Sequence, residues 1–281
     1  DGVLRSALWL QIHARAHGLA ARIQAGEYRI EPLDTPRTLL DHWVAGRVIR
    51  RSVTIPEGWT FTRIRAALAA LPYVEQTLAG LDDAAVMQRL GEPELHPEGR
   101  FFPDTYPYTR GMRDLDLLRQ MRRALDRQLV AAWARRASDT PLRTPDEALV
   151  LASIVEKETG LPEERRRVAG VYARRLAFGM PLQADPTVLY GRAGEAAGEL
   201  TRTELRADGP YNTYTRKGLP PTPIAAPGAA SLAAAVDPEP GDALYFVARG
   251  DGGHVFSATL EDHQHAVRQY RAQRAARGDR E

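Results

Sequence analysis

Thr144-Pro145-Asp146-Glu147-Ala148-Leu149-Val150-Leu151-Ala152-Ser153-Ile154-Val155-Glu156-Lys157-Glu158-Thr159-Gly160 is the stretch on which the reading of the chain turns. It carries its own start and stop signals. Thr144 caps the N-terminus, Pro145 suits the first helical position, and Glu147 completes a capping box. Gly160 and Pro162 end the helix. Leu151, Ile154, Val155 and Glu158 follow the spacing i, i+3, i+4, i+7, so they share one face. Three are apolar and the fourth is a carboxylate. A carboxyl group at an apolar wall is pushed toward its neutral form, which a general acid near neutral pH requires. The competing reading places Glu158 in the last turn, where the stripe meets solvent and the side chain has no task. Glu156 lies about 200° away around the helix. It is expected to be solvated or paired, with an arginine of the 165–167 run as the candidate partner. Two catalytic carboxylates from this helix are therefore not expected.

The chain has 281 residues, enough for one large domain or two ordinary ones with a buried core. Lys157 and Lys217 are the only lysines, so arginine supplies nearly all the positive charge. Acidic residues balance it along the chain to a net +2, which leaves no concentrated nucleic-acid patch despite a pI near 9.0. The absence of cysteine excludes disulfides, thiolate metal sites and thiol nucleophiles. No stretch reaches the length of a membrane-spanning helix and no signal peptide is visible. The chain opens at Asp1 without methionine, as one trimmed of an N-terminal part would, so the missing anchor speaks only weakly for a cytoplasmic home.

Patterning divides the chain into a small α+β unit over residues 1–98 and a larger α+β domain over 99–281. Residues 3–20 have helical spacing, with Leu4, Leu8, Ile12 and Leu19 among the apolar positions. Gly26–Ile30 reads as a short strand, Asp34–Gly46 as a capped helix, and Arg47–Ile55 as a half-buried strand. Gly58-Trp59-Thr60 leads into another helix through Ile64, Leu68 and Leu71. Glu98–Tyr108, rich in aromatics, proline and glycine, reads as a structured loop at the domain junction. Helices follow over 114–137 and 163–178. Residues 180–228 show little periodicity, and so long an irregular stretch inside a domain is usually functional or flexible. A helix near 229–236, a hairpin of strands 243–248 and 254–258 turning at Asp251-Gly252-Gly253, and a helix capped by Thr259 complete the chain.

Two further groups of residues have the chemistry of a site. In Met180-Pro181-Leu182-Gln183-Ala184-Asp185-Pro186-Thr187, the proline favours extended backbone at Asp185, and in a strand Gln183 would point to the same side. Glutamine offers donors and acceptors to sugar hydroxyls and acetamido groups. The alternative is an Asp-Pro turn that positions only itself. In Gly209-Pro210-Tyr211-Asn212-Thr213-Tyr214-Thr215 and Gly218-Leu219-Pro220-Pro221, rings beside amide and hydroxyl groups suit a carbohydrate surface. The alternative is a packed loop with two half-buried tyrosines. His263 and His265 are two apart on a helix and cannot chelate from one face, and His254 begins a strand. No acidic cluster has metal-ligand spacing, so no metal is expected. Ser153 and Ser231 lack a nucleophile setting.

Leu151–Thr159, Leu182-Gln183-Ala184-Asp185-Pro186-Thr187-Val188, Tyr211-Asn212-Thr213-Tyr214 and Gly218-Leu219-Pro220-Pro221, in this order, closely resemble the MltG (YceG-like) endolytic murein transglycosylases. Phe102-Pro103-Asp104-Thr105-Tyr106 and Leu244-Tyr245-Phe246-Val247-Ala248 fit as well. The resemblance implies a LysM-like N-terminal region and a lysozyme-like catalytic helix. It also implies cleavage of interior MurNAc–GlcNAc bonds in peptidoglycan without water, leaving 1,6-anhydroMurNAc ends, with no cofactor. Glu158 becomes the catalytic acid, and Gln183, Asp185, Tyr211, Asn212 and Tyr214 become substrate-binding residues. Kinship further implies a single-pass anchor in the bacterial inner membrane ahead of this chain, a catalytic domain outside the cytoplasm, and peptidoglycan synthases as partners. A glycan-binding module without activity and a muramidase hydrolase are the other readings. The hydrolase would need a second carboxylate near Glu158, for which Asp104 and Asp185 are the candidates. A nucleic-acid binder is the outsider.

Overall fold

The computed structural model describes residues 7–192 and 200–276. Helix α1 (Ala7–Ala16) and helix α2 (Pro36–Val44) precede strand β1 (Arg51–Thr54), α3 (Phe61–Ala69) and α4 (Asp83–Leu90). Strand β2 (Thr105–Tyr108) leads to α5 (Asp114–Ala134), α6 (Pro145–Glu158) and α7 (Arg165–Ala177). Short helices α8 (Asp185–Gly191) and α9 (Arg202–Arg206) interrupt the irregular stretch. Helix α10 (Ala229–Val236), the β3–β4 hairpin (Tyr245–Ala248, His254–Ser257) and α11 (Leu260–Ala276) finish the fold. The class is α+β, with helices dominant and, among the described residues, two separate two-stranded antiparallel sheets.

Helix α6 is the axis of the molecule. Thr144 accepts from the Glu147 amide at 3.1 Å, and Pro145 opens the first turn. The capping box is half made, because the Glu147 carboxylate takes the amide of Arg143 at 2.5 Å instead of that of Thr144. Every residue from Ala148 to Val155 is buried, so the apolar stripe is in fact a whole circumference. That follows from the run Ala-Leu-Val-Leu-Ala-Ser-Ile-Val, since a helix apolar on all sides is stable only inside a core. Helices α5, α7, α8 and α10 surround it. The alanine-rich α10 packs most extensively against α6, its small side chains leaving room for a close approach.

The main core is one cluster of buried side chains running from Val53 to Val236. It crosses residue 98, as does the β1–β2 ladder, which pairs Arg51 with Tyr108 and Thr54 with Thr105. Segment 98–108, read as a loop, thus ends in a strand. Pro107 is tolerated there because a two-stranded sheet leaves outer edges free of ladder bonds. Near the N-terminus the periodicity misleads. Leu8 and Ile12 are 62% and 48% exposed, while Leu10 and Ala14 are buried. Leu4 lies outside the described residues. The strand expected at Gly26–Ile30 shrinks to a single bridge between Tyr28 and Val48.

Candidate active site

Glu158 is the last residue of α6, where Thr159 leaves the helical conformation and the Thr159 hydroxyl accepts from the Leu161 amide. As a residue it is half-buried, but its carboxyl group is surrounded by protein. Burial pushes its pKa up to about 7, and the charge of Asp185 adds to the rise. A hydrogen bond from the Tyr172 hydroxyl to Oε1 opposes both. The negative end of the α6 dipole works in the same direction as burial. Asp185, not Asp104, is the carboxylate whose charge reaches Glu158. Asp104 stands at the start of β2 and accepts from the Thr105 amide at 2.7 Å.

Glu156 faces the other way. Its carboxylate accepts from the Gly228 amide at 2.9 Å and lies 3.7 Å from the Arg165 guanidinium. Arg165 belongs to the 165–167 run, and the pair is half-buried at the start of α10. Ser153 is also a structural pin: its hydroxyl donates to the Val150 carbonyl and accepts from the Ile224 amide at 3.0 Å. The two side chains fasten the 224–228 segment to α6.

Helix α7 supplies two groups that the sequence did not single out. Tyr172 holds the Glu158 carboxyl and is itself steadied by Phe246, edge to face with centroids 5.7 Å apart. One turn on, Arg175 is buried and donates to the carbonyls of Leu244 and Leu182. The α7 segment Arg-Arg-Arg-Val-Ala-Gly-Val-Tyr-Ala-Arg-Arg-Leu-Ala offered a faint signal. A tyrosine and an arginine three apart share a face, and that face also holds Val168 and Ala169, which are buried.

Segment 183–187 is not a strand. Asp185 opens α8, with Pro186 in the first turn, where a missing amide hydrogen costs nothing. Gln183 has φ +54°, in the left-handed region, and is exposed. Thr213 pins the turn: its carbonyl takes the Gln183 amide and its hydroxyl takes the Ala184 amide, both at 3.0 Å. The Thr213 hydroxyl also meets that of Thr187 at 2.9 Å.

The Tyr211–Tyr214 loop divides in two. Tyr214 points to the site, donating its hydroxyl to Asp185. Asn212 is buried, and its amide donates to the carbonyls of Glu204, Leu205 and Ala207 while its oxygen accepts from the Tyr214 amide. It closes the end of α9, and its amide NH2 is fully engaged by backbone carbonyls. Tyr211 bonds the Thr222 hydroxyl at 2.9 Å and packs against Tyr190. Glu158, Tyr172, Asp185 and Tyr214 therefore form one cluster with Arg175 and Gln183, and Tyr211 and Asn212 form the scaffold behind it. An open recess of about 450 Å³ lined by Arg202, Leu205, Arg206, Tyr214 and Thr215 adjoins the cluster. Of the histidines, His254 turns to Glu164, its ring nitrogen 2.6 Å from the carboxylate, and His263 stacks on Tyr245.

With that geometry in view, the relatives are informative. The sequence profile of the YceG-like family matches residues 1–269. The chain belongs to the YceG-like family. It is 33% identical over 290 residues to the endolytic murein transglycosylase of Bacillus subtilis (strain 168), covering 96% of this chain and 79% of that protein. It is 29% identical over 281 residues to the endolytic murein transglycosylase of Streptococcus pneumoniae, covering 88% of this chain and 51% of that one. Among solved structures, the yceG-like protein lmo1499 of Listeria monocytogenes superposes with a TM-score of 0.61 at 29% identity. That superposition covers 94% of this chain and 91% of the other, so the YceG-like fold extends across nearly all of it. Among the described residues of this YceG-like chain, no helix is long and apolar enough to cross a membrane.

Proposed function

We propose that this chain is an endolytic lytic transglycosylase that cleaves MurNAc–GlcNAc bonds within peptidoglycan strands. The observation that carries the reading is the enclosed carboxyl of Glu158, held by Tyr172 and protonated up to about pH 7, in a chain whose relatives bear that name. Neutral Glu158 protonates the bridging oxygen as the bond to the MurNAc C1 breaks. The carboxylate then takes the proton from the C6 hydroxyl of the same sugar as O6 bonds to C1. No water enters, the proton count balances, and the product ends in 1,6-anhydroMurNAc. An attacker on the same ring needs no activated water, because proximity supplies what a second carboxylate would otherwise provide. Gln183 and Tyr214 line the substrate face, and Tyr211 and Asn212 support the wall.

One observation favours a second reading. Asp185 lies close enough to Glu158 to raise its pKa, and a muramidase hydrolase uses two carboxylates. Mass spectrometry of digested murein separates the two. A transglycosylase releases MurNAc ends lighter by one water, whereas a hydrolase releases reducing ends. Activity on murein would put the domain outside the cytoplasmic membrane. A single-pass anchor ahead of Asp1 and contact with peptidoglycan synthases belong to the same proposal. Fractionation and cross-linking of the full-length protein in cells test them.

A further inference from the structure

Arg175 is a buried cation with no carboxylate partner among the described residues. It is only 7% exposed. Its Nε donates to the Leu244 carbonyl at 2.7 Å, and Nη1 is shared by the carbonyls of Pro181 (3.2 Å) and Leu182 (2.8 Å) and by Gln183 Oε1 (3.2 Å). Nη2 has no hydrogen bond to the described residues and is not sealed from solvent. The guanidinium carbon sits 5.1 Å from the centroid of the Tyr245 ring, which fixes its plane. A buried charge left without a counter-ion is expensive, and carbonyl dipoles compensate only part of that cost.

The same contact fixes Gln183. Arginine has no acceptor, so the atom facing it must be the amide oxygen, and the amide NH2 is turned outward. Gln183 is exposed, its backbone is in the left-handed region, and Thr213 holds it there. Strain retained at an exposed side chain beside a site marks a constraint that the surroundings maintain. Arg175 Nη2 and Gln183 Nε2 thus present donors only. The Tyr214 hydroxyl between them and Glu158 is already given to Asp185. The recess beyond Tyr214 is flanked by two more cations, Arg202 and Arg206.

We propose that Arg175 and the Gln183 amide it orients form a subsite for a carboxylate carried by the glycan strand, and that this subsite sets which strands are cut. The inference rests on the reading that this face takes murein. The carboxylate has two chemical sources. One is the lactyl group of MurNAc, free only where the stem peptide has been removed. The other is the stem peptide itself. If the lactyl group is the source, the reaction that supplies the substrate is hydrolysis of the amide between lactyl and peptide.

The test uses the Glu158→Gln protein, so that binding is read without turnover, at high salt, which screens long-range attraction. Four glycan oligosaccharides are titrated by calorimetry: peptide-free with the lactyl carboxylate free, the same with that carboxylate converted to a methylamide, peptide-bearing, and peptide-bearing with its carboxylates amidated. At least one carboxylate form is expected to bind about tenfold more tightly than its neutral counterpart, the size of a charge-assisted hydrogen bond. The pair that shows the difference names the source. Adding Gln183→Glu, at an exposed position that does not endanger folding, sets a fixed carboxylate against Arg175 and is expected to abolish the difference. Arg175→Met is expected to do the same, with thermal melts as the folding control. Equal binding of charged and neutral forms overturns the subsite and leaves the murein reading intact. Failure to bind any of the four overturns both. Formation of anhydro ends by the unmodified protein on the same strands reports separately on the transglycosylase chemistry.

Discussion

Two buried carboxyl groups among the described residues are pushed by burial to the same pKa, about 7, yet their surroundings differ. Glu98 is 4% exposed and accepts the amides of Phe61 (3.1 Å) and Gly99 (3.2 Å), with a further bond from the Tyr190 hydroxyl. It closes the N-terminus of α3, and its whole hydrogen-bonding capacity faces protein. Among the described residues Glu158 has one donor, Tyr172, and a second carboxylate nearby. Its neighbours Asp185 and Gln183 are exposed. A raised pKa records desolvation in both cases. On the proposed reading, what separates Glu158 from Glu98 is the capacity left for something that is not protein.

The sharpest break of this comparison is the amide substitution at each position. Glu158→Gln is expected to lower kcat by about a thousandfold or more, since the proton donor is gone. Its melting temperature should stay within a few degrees of the parent. Glu98→Gln is expected to keep activity within about tenfold, because no proton transfer involves it. Release of anhydro ends, with thermal melts alongside, measures both. A Glu98→Gln loss as deep as that of Glu158→Gln would break the contrast.

The neighbours of Glu158 give the next effect. Tyr172→Phe removes a bond that stabilises the charged form, so the Glu158 pKa should rise further. The carboxyl also loses its orientation, and a loss of about 10- to 100-fold in kcat is expected. Asp185→Asn removes a like charge, so the Glu158 pKa should fall. The proposed acid must be protonated, and activity falls as pH rises through its pKa. The alkaline limb of the pH–kcat profile should therefore move up in Tyr172→Phe and down in Asp185→Asn. Complete inactivation by Asp185→Asn, with reducing ends from the parent, would instead favour the hydrolase.

A smaller effect concerns stability. Both carboxyls keep their proton to about pH 7 when folded, against an ordinary value of 4.5. Between these values the folded state binds more protons than the unfolded chain, so stability falls as pH rises from about 4.5 to 7. Each group accounts for a loss on the order of 2–3 kcal/mol. Urea unfolding at pH 5 and pH 8 should show that either amide substitution narrows the gap and that the pair narrows it most. The smallest effect is expected from Thr213→Val, which removes the hydroxyl beneath Ala184 and costs about 1–2 kcal/mol. It should also relax the turn at Gln183, raising KM more than it lowers kcat.

Much of this was legible before any coordinates. The bounds of α6 were, because Thr144, Pro145 and Gly160 are local signals whose effect does not depend on the rest of the fold. The enclosure of the Glu158 carboxyl was legible from its stripe, although the stripe proved to be a fully buried helix. The reading of Asp185-Pro186 failed because a proline that favours extended backbone before it also suits the first turn of a helix, and packing decided for the helix. The structural task of Asn212 was not legible, because an amide suited to sugars is equally suited to a helix end. Tyr172 and Arg175 were hardest to see. Their roles depend on the approach of Leu182, Leu244 and Phe246 from distant parts of the sequence, which no periodicity in α7 records. At the N-terminus Leu8 and Ile12 look like core by spacing, yet they are exposed.

If Glu158 is the acid, as proposed, its placement at the very tip of α6 makes the reaction sensitive to events far from it. Fourteen residues at 1.5 Å each give a rod about 21 Å long. A tilt of about 5° at the Thr144 end would swing the tip by nearly 2 Å, and a misplacement of about 1 Å is enough to slow chemistry a hundredfold. Aim is thus set by the alanine seat that α10 provides along the shaft. A bulkier side chain there, remote from any sugar, would spoil the shot while leaving every reacting group in place.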